Sequence, residues 1–305
     1  MAGIINTGTS PKLLWPGLAK LWGLSYKEYT PQWKELYETV KSTQAYEEYQ
    51  GMVGFGTAPQ KVEGQSIEFD SMAQGYTTRL TNSTYGLGFV ITKEAQKDNL
   101  YMKVAADMIP QLRRALHLTK ENLGASLFNN AFAGTTMSDG SPLISATHAN
   151  ISGGTWSNQL STAAALSELA IEDLVIQMSL AVDDRGNLID LKPRKLAIHP
   201  SNRFNADRIL KSVYQSNSQS NNINVLYARN TIPEGFVVNP YFNIATAWYV
   251  LSQMPTRTGL MYQEREALEF GQDNDFTTSN HMYKAEERYV FGGADSRAVW
   301  GTIGA

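Results

Sequence analysis

The chain has 305 residues, enough for one large domain or two modest ones with a buried core. Its 26 Lys and Arg against 29 Asp and Glu leave a net charge of -3, which excludes a dedicated nucleic-acid binder that works by neutralising many phosphates. The absence of cysteine excludes disulfides, thiolate metal sites and cysteine nucleophiles, so stability rests on packing.

Residues 1–10 (MAGIINTGTS) lack the basic and apolar regions of a secretory signal. The apolar stretch 13–24 is too short for a bilayer, which takes about 20 residues, and is broken by Pro16 and Gly17. A protein soluble in the cytosol where it is made is expected. Residues 1–50 hold Pro11, Pro16 and Pro31, leave only short helical stretches, and carry Trp15, Trp22 and Trp33. Such a segment cannot bury three tryptophans alone, so it is an arm that either folds back on its own domain or crosses onto a neighbour.

From 51 to 92 the texture turns to glycine, threonine and alternating apolar residues. Ile67 and Phe69 share one face, and Tyr85, Leu87, Phe89 and Ile91 repeat with period two, which predicts a long hairpin or three-stranded ribbon. Residues 54–64 (GFGTAPQKVEG) and 77–84 offer few large side chains to a core, which suggests an excursion from the body.

Thr92 is placed as the N-cap of the next element. Beyond it Leu100, Val104, Met108, Leu112, Leu116, Leu123 and Leu127 recur mostly every four residues, predicting one helix over 93–133 that is bent at Pro110. A turn at 138–142 (SDGSP), an exposed loop to 162 and a helix within 163–182 follow; the helix has Leu166, Leu169, Ala170, Leu174 and Met178 on one side. Strands are expected at 195–199, 236–238, 245–251, 260–270, 282–291 and 298–303, with 245–251 (ATAWYVL) apolar enough to be buried on both faces. The class is α+β, without repeats.

No motif carries catalytic chemistry. His117, His148, His199 and His281 stand alone without HExxH spacing, and read as structural or surface histidines. Asp183, Asp184, Asn187 and Asp190 have the oxygen density of a calcium loop but not the EF-hand pattern; a turn explains them better. There is no GxSxG elbow, and the glycines of 51–56 lack the order of a phosphate loop. Carboxylate pairs such as Glu47-Glu48, Glu264 with Glu266, and Glu286-Glu287 sit beside Lys or Arg as solvated charge. No catalytic residue, cofactor or metal is expected.

The order of elements, with 85–94 (YGLGFVITKE), 139–148 (DGSPLISATH), 193–208 (PRKLAIHPSNRFNADR) and 287–305 (ERYVFGGADSRAVWGTIGA), resembles the Hong Kong 97-type major capsid proteins of tailed phages, most nearly the Mu-like major head subunit. The resemblance spans most of the chain from about residue 50. It implies an N-terminal arm (1–50), an extended β-hairpin loop (51–92), a peripheral domain with a spine helix (93–150 and 262–305) and an axial domain (151–261). It implies pentamers and hexamers of the chain in an icosahedral virion shell around double-stranded DNA. The implied partners are a portal protein, with scaffold or decoration proteins as optional further ones, and no membrane. Trp15, Trp22, Lys61, Phe69, Tyr76, Arg79 and Tyr85 are the candidate inter-subunit contacts. Some relatives cross-link a loop lysine to an asparagine; Lys61 is the loop candidate here, and no motif marks a partner. The alternatives are an encapsulin-type compartment, which shares the fold, and an enzyme of unrecognised type.

Overall fold

The computed structural model describes residues 30–97, 101–134, 137–215, 222–255 and 257–305, and the side-chain surroundings of all of these except 96, 97, 101–107 and 109. Trp15, Trp22 and most of the expected arm lie outside the described residues. Trp33 lies within them. It is buried in the chain's own core, its ring 4.2 Å from that of Tyr262. The 3-10 turn that carries it, Gln32–Glu35, has its free N–H groups satisfied from a distance: Gln32 N and Trp33 N donate to the Glu121 carboxylate at 2.8 and 3.2 Å.

The arm region also contributes two strands that its composition hides. β1 (Glu38–Lys41) has one fully apolar residue, Val40, and pairs parallel with β10 (Leu260–Asn274). β2 (Tyr46–Val53) pairs antiparallel with β3 (Ala73–Thr81), so the ribbon begins five residues earlier than expected. Its stem is regular, but 54–72 between the two strands forms no ladder. Ile67 and Phe69 therefore do not share a strand face, as expected from their spacing. Alternation needs a partner strand to become a sheet, and both side chains are exposed. β4 (Ser83–Ile91) is not a third ribbon strand either: it pairs with β11 (His281–Gly293), giving a sheet ordered β1-β10-β11-β4.

Thr92 caps α1 (Lys93–Lys97), its Oγ1 accepting from Ala95 N at 3.3 Å. α2 (Tyr101–Asn129) then runs 29 residues without interruption through Pro110, roughly 43 Å at the α-helical rise. Leu100 of the expected stripe lies outside the described residues. Of the rest, Leu112 and Leu116 pack on Ala285 of β11, while Leu127, with Ala125 and Phe128, enters the main core. The helix ends four residues before the expected boundary because the chain tightens: Ala131 N donates to Phe128 O, an i→i+3 bond, at 3.2 Å.

The second half is built around the sheet β12-β9-β7-β8, formed by β7 (Pro193–Ile198), β8 (Phe236–Val238), β9 (Trp248–Ser252) and β12 (Val299–Thr302). β9 is buried at every position, as its apolar run predicts. Its alternate residues face different cores. Tyr249 and Leu251 join Phe128, Phe242, Tyr262 and Tyr289 on the α2 side, whereas Trp248 and Val250 join Trp300, Leu174 and Ile209 on the other. Fully burying each large side chain contributes about 1.5–3 kcal/mol, and three of them also pair a polar atom with a backbone carbonyl: Tyr249 Oη donates to Phe128 O, Trp248 Nε1 to Ala164 O and Trp300 Nε1 to Arg297 O, all at 2.9–3.0 Å.

The outer core is covered by α3 (Glu168–Ser179), α4 (Arg203–Lys211) and the short α5 (Val225–Ala228). Ser167 caps α3 by accepting from Ala170 N. The helix buries Ala170, Ile171, Leu174 and Met178 but not Leu169, which is 67% exposed. Leu169 was expected on the apolar side; Ile171 takes that place, because the buried face is centred on 171–178. β5 (His148–Ala149) and β6 (Thr155–Trp156) form a two-stranded clip beside β12.

Candidate assembly surfaces

The ribbon is anchored at its root and open at its tip. Leu80 of β3 packs with Val40 and Met261, Tyr49 Oη donates to Gln263 Oε1 at 3.0 Å, Gln263 Nε2 donates to Asn82 Oδ1 at 2.9 Å, and Thr78 Oγ1 donates to Ala294 O at 3.2 Å. A bulge sets the twist of the stem: Gln50 opposes Thr77 but Met52 opposes Gln74, so one residue faces two. Gly75 sits in that bulge against Gly51, whose backbone C and O would lie 2.7 Å from any Cβ placed there.

Beyond Val53 the chain leaves the body. Met52, Phe55, Val62, Ile67, Phe69 and Met72 are all largely exposed, Phe69 at 96%. One clasp holds the tip's return: Asp70 accepts from Gly56 N at 2.8 Å and from Arg185 Nη1 at 2.7 Å, and Arg185 Nη2 donates to Ser71 O at 2.6 Å. The two backbone N–H bonds to Asp70 and the Arg185 guanidinium hold its carboxyl below the ordinary range.

The sequence-predicted contact residues separate into three settings. Lys61 and Phe69 lie on the exposed tip. Tyr76 and Arg79 belong to the stem; Arg79 pairs with Glu48 at 2.6 Å and covers the Tyr46 ring at 4.3 Å. Tyr85 is half-buried and stacked on Tyr289, ring centroids 4.7 Å apart, so it packs within its own chain. Sequence reasoning missed the Asp70–Arg185 clasp, whose partners are 115 residues apart, and Phe276, 99% exposed at the turn between β10 and β11. Asp275 builds that turn by accepting from Thr277 N at 3.0 Å and from the Thr277 and Thr278 hydroxyls.

The titratable groups singled out in the sequence serve the fold. Asp183 Oδ1 accepts from Arg185 N and Asn187 N, both at 2.8 Å, and Oδ2 from Asn187 Nδ2, so the acidic cluster is a turn closed on itself. Burial raises its carboxyl, but the Asn187 and Arg185 hydrogen bonds and the Arg297 charge together outweigh this and leave it below the ordinary range. His199 caps a 3-10 turn by accepting from Ser201 N. His148 is fully buried, its Nδ1 2.5 Å from Asp139 Oδ2 and its Nε2 3.0 Å from Asn158 Oδ1. Asn158 Nδ2 donates to Leu143 O, Ser296 O and Val299 O at 2.7, 3.0 and 2.9 Å, which orients the amide and ties the 139–148 turn to the closing strand. Arg297 spans the same region, with Nε on Val182 O at 3.1 Å, Nη2 on Asp184 Oδ1 at 3.0 Å and its plane 4.5 Å from the Trp156 ring. Among the described residues no group of His, Asp and Glu is placed to hold a metal ion, and no helix is long and apolar enough to cross a membrane.

A root fixed in the body and a long apolar tip turned outward are features of a chain that completes itself against others. Comparison with known proteins points the same way. Three solved capsids share the fold at low identity: that of the cyanophage P-SCSP1u (TM-score 0.59, 12% identity, 94% of this chain and 93% of that one), the mature capsid of bacteriophage PhiM1 (0.54, 13%, 95% and 90%) and the capsid of an empty GTA particle (0.53, 12%, 97% and 97%). No curated protein sequence matches the chain. The family model described as "Phage capsid protein" matches residues 75–301, from the ribbon stem to the closing strand. The chain therefore belongs to the phage capsid protein family and is a structural subunit of a capsid shell.

Proposed function

We propose that this chain is the major head subunit of a tailed phage of the Hong Kong 97 type, nearest the Mu-like subunits. It would be made in the host cytoplasm and assembled as pentamers and hexamers around double-stranded DNA, with a portal as a further partner and with no catalysis of its own. In this reading α2 is the spine of a peripheral domain with β10 and β11, and the β12-β9-β7-β8 sheet with its helices is the axial domain. The ribbon lies over a neighbouring copy, and Lys61, Phe69, Tyr76 and Arg79 make contacts there, as do Trp15 and Trp22. Tyr85 acts indirectly, by fixing β4 on the body.

The observation that carries the reading is the tip at 54–72: a stretch without a ladder whose Phe55, Ile67 and Phe69 are 61%, 65% and 96% exposed. A soluble monomer gains nothing by holding that much apolar surface in water. A neighbour that covers it gains about 25 cal/mol per Å², less the cost of ordering the tip. The test replaces 54–72 with a short Gly-Ser link, leaving β2, β3 and β4 intact, and compares sedimentation and circular dichroism with the intact chain. Folded subunits that no longer form particles support the reading; particles of normal size and yield would refute the role of the tip.

A further inference from the structure

Two faces of the helical layer over the β12-β9-β7-β8 sheet have opposite chemistry. α3 turns Leu169, Asp173, Ile176 and Leu180 outward, at spacings of four, three and four, on the side away from its buried residues. Leu169, Ile176 and Leu180 are 67%, 59% and 63% exposed, an apolar stripe where a helix of a self-contained domain carries polar residues. Asp173, Ile176 and Leu180 of this outward side form one wall of a groove, with Leu160 and Trp300 in the other. Leu160 N donates to Gly301 O, so that second wall continues the sheet past β12 and the groove lies at the β12 edge. α3 carries Glu168, Glu172 and Asp173 and no basic residue.

The β8 edge is the counterpart. Lys211 of α4 lies 5.2 Å from the Phe236 ring of β8, which places α4 on that side, and α5 packs beside it. Opposite its buried Ala206 and Ile209, α4 exposes Phe204 at 71% and Arg208 one turn later. α5 adds exposed Val225 and Tyr227, and exposed Arg229 follows it. Arg203 and Arg208 leave this face basic, since the single acid of α4, Asp207, pairs with Lys211 at 2.6 Å.

We propose that the α3 groove of one copy receives the α4–α5 face of the next copy of this chain, with Asp173 meeting Arg208 and Phe204 entering the apolar stripe. Charge decides the pairing. Groove against groove sets acid on acid, face against face sets arginine on arginine, and groove against face matches both sign and apolar content. Because the two surfaces differ and lie at opposite edges of one sheet, the contact is head-to-tail, each copy using one of each, the kind of contact that makes a ring when its rotation closes. The inference rests on the shell-subunit reading and adds to it which surfaces meet.

The experiment uses the full chain, with particle yield read by sedimentation and electron microscopy and folding by circular dichroism on the same samples. Asp173→Arg and Arg208→Asp each lower particle yield at least about tenfold while the folded signal is kept, since both residues are solvent-facing; Asp173→Asn lowers it less. The double variant Asp173→Arg with Arg208→Asp restores most of the yield, because the pair is reversed rather than removed. Single variants that assemble like the natural chain, or a folded double variant that stays unassembled, would overturn the pairing while leaving the shell reading intact. A natural chain that forms no particles, with or without a co-expressed scaffold, would instead overturn the shell reading.

Discussion

Asn158→Leu tests how the two halves of the fold are joined. Leucine is close in size, so the perturbation removes hydrogen bonds and leaves no large cavity. Asn158 is fully buried, and its side chain serves five groups: three carbonyls, the Ser145 N–H at 2.8 Å and His148 Nε2. Stranding one buried polar group costs about 1–3 kcal/mol, and shared relaxation makes the five less than additive, so a loss of about 3–5 kcal/mol is expected. That is a large share of the roughly 5–15 kcal/mol that holds a domain folded. At about 2–4 °C per kcal/mol the melting point of the unassembled subunit, followed by far-UV circular dichroism, falls by about 6–20 °C. A variant that melts within about 2 °C of the natural chain would show that these segments are held by packing alone, and would falsify the assignment of Asn158 as their clasp.

Three further outcomes follow from the same geometry. Gly75→Ala drives a methyl against the Gly51 backbone and destabilises the stem locally by about 1–3 kcal/mol, seen as faster hydrogen exchange of β2 and β3 amides; unchanged exchange would mean the bulge is looser than its close approach implies. Burial raises the Asp139 carboxyl, but the His148 and Ser141 hydrogen bonds outweigh it and leave it below its ordinary 3.8. A depressed carboxyl stabilises above its unfolded value, so the natural chain loses stability as pH falls below 3.8, and Asp139→Asn, less stable at neutral pH, shows a flatter acid limb in urea melts. Lys120→Met strips the buried Glu287 of its 2.5 Å partner and costs about 3–5 kcal/mol in the same melts, whereas the double variant Lys120→Met with Glu287→Gln recovers part of it; equal losses would place the cost in the aromatic packing around Lys120.

What the sequence makes legible is what local pattern carries. The run 245–251 reads as a strand buried on both faces because all but Thr246 are apolar, and the strand and its burial are found from Trp248 onward; Thr92 reads as a cap because its hydroxyl lies three residues from an early helix N–H. β1 and the start of β2 escape notice because their residues are mostly polar, and their strand character comes from partners more than 20 residues away. Leu169 misleads for the opposite reason: an apolar residue at helical spacing predicts a core face, and here it belongs to an exposed stripe. The Asp70–Arg185 clasp and the Asn158 hub join segments distant in the chain, and no spacing rule could reveal them. The order of elements carried the capsid resemblance where single motifs could not, and the family match over 75–301 agrees with it.

The central claim is that this chain builds a closed shell, and electron microscopy of the purified full-length protein, with sedimentation of the same sample, tests it most directly. The account predicts hollow closed particles of uniform size, formed by the chain with or without a co-expressed scaffold. A population that stays monomeric or as small oligomers under both conditions would contradict it.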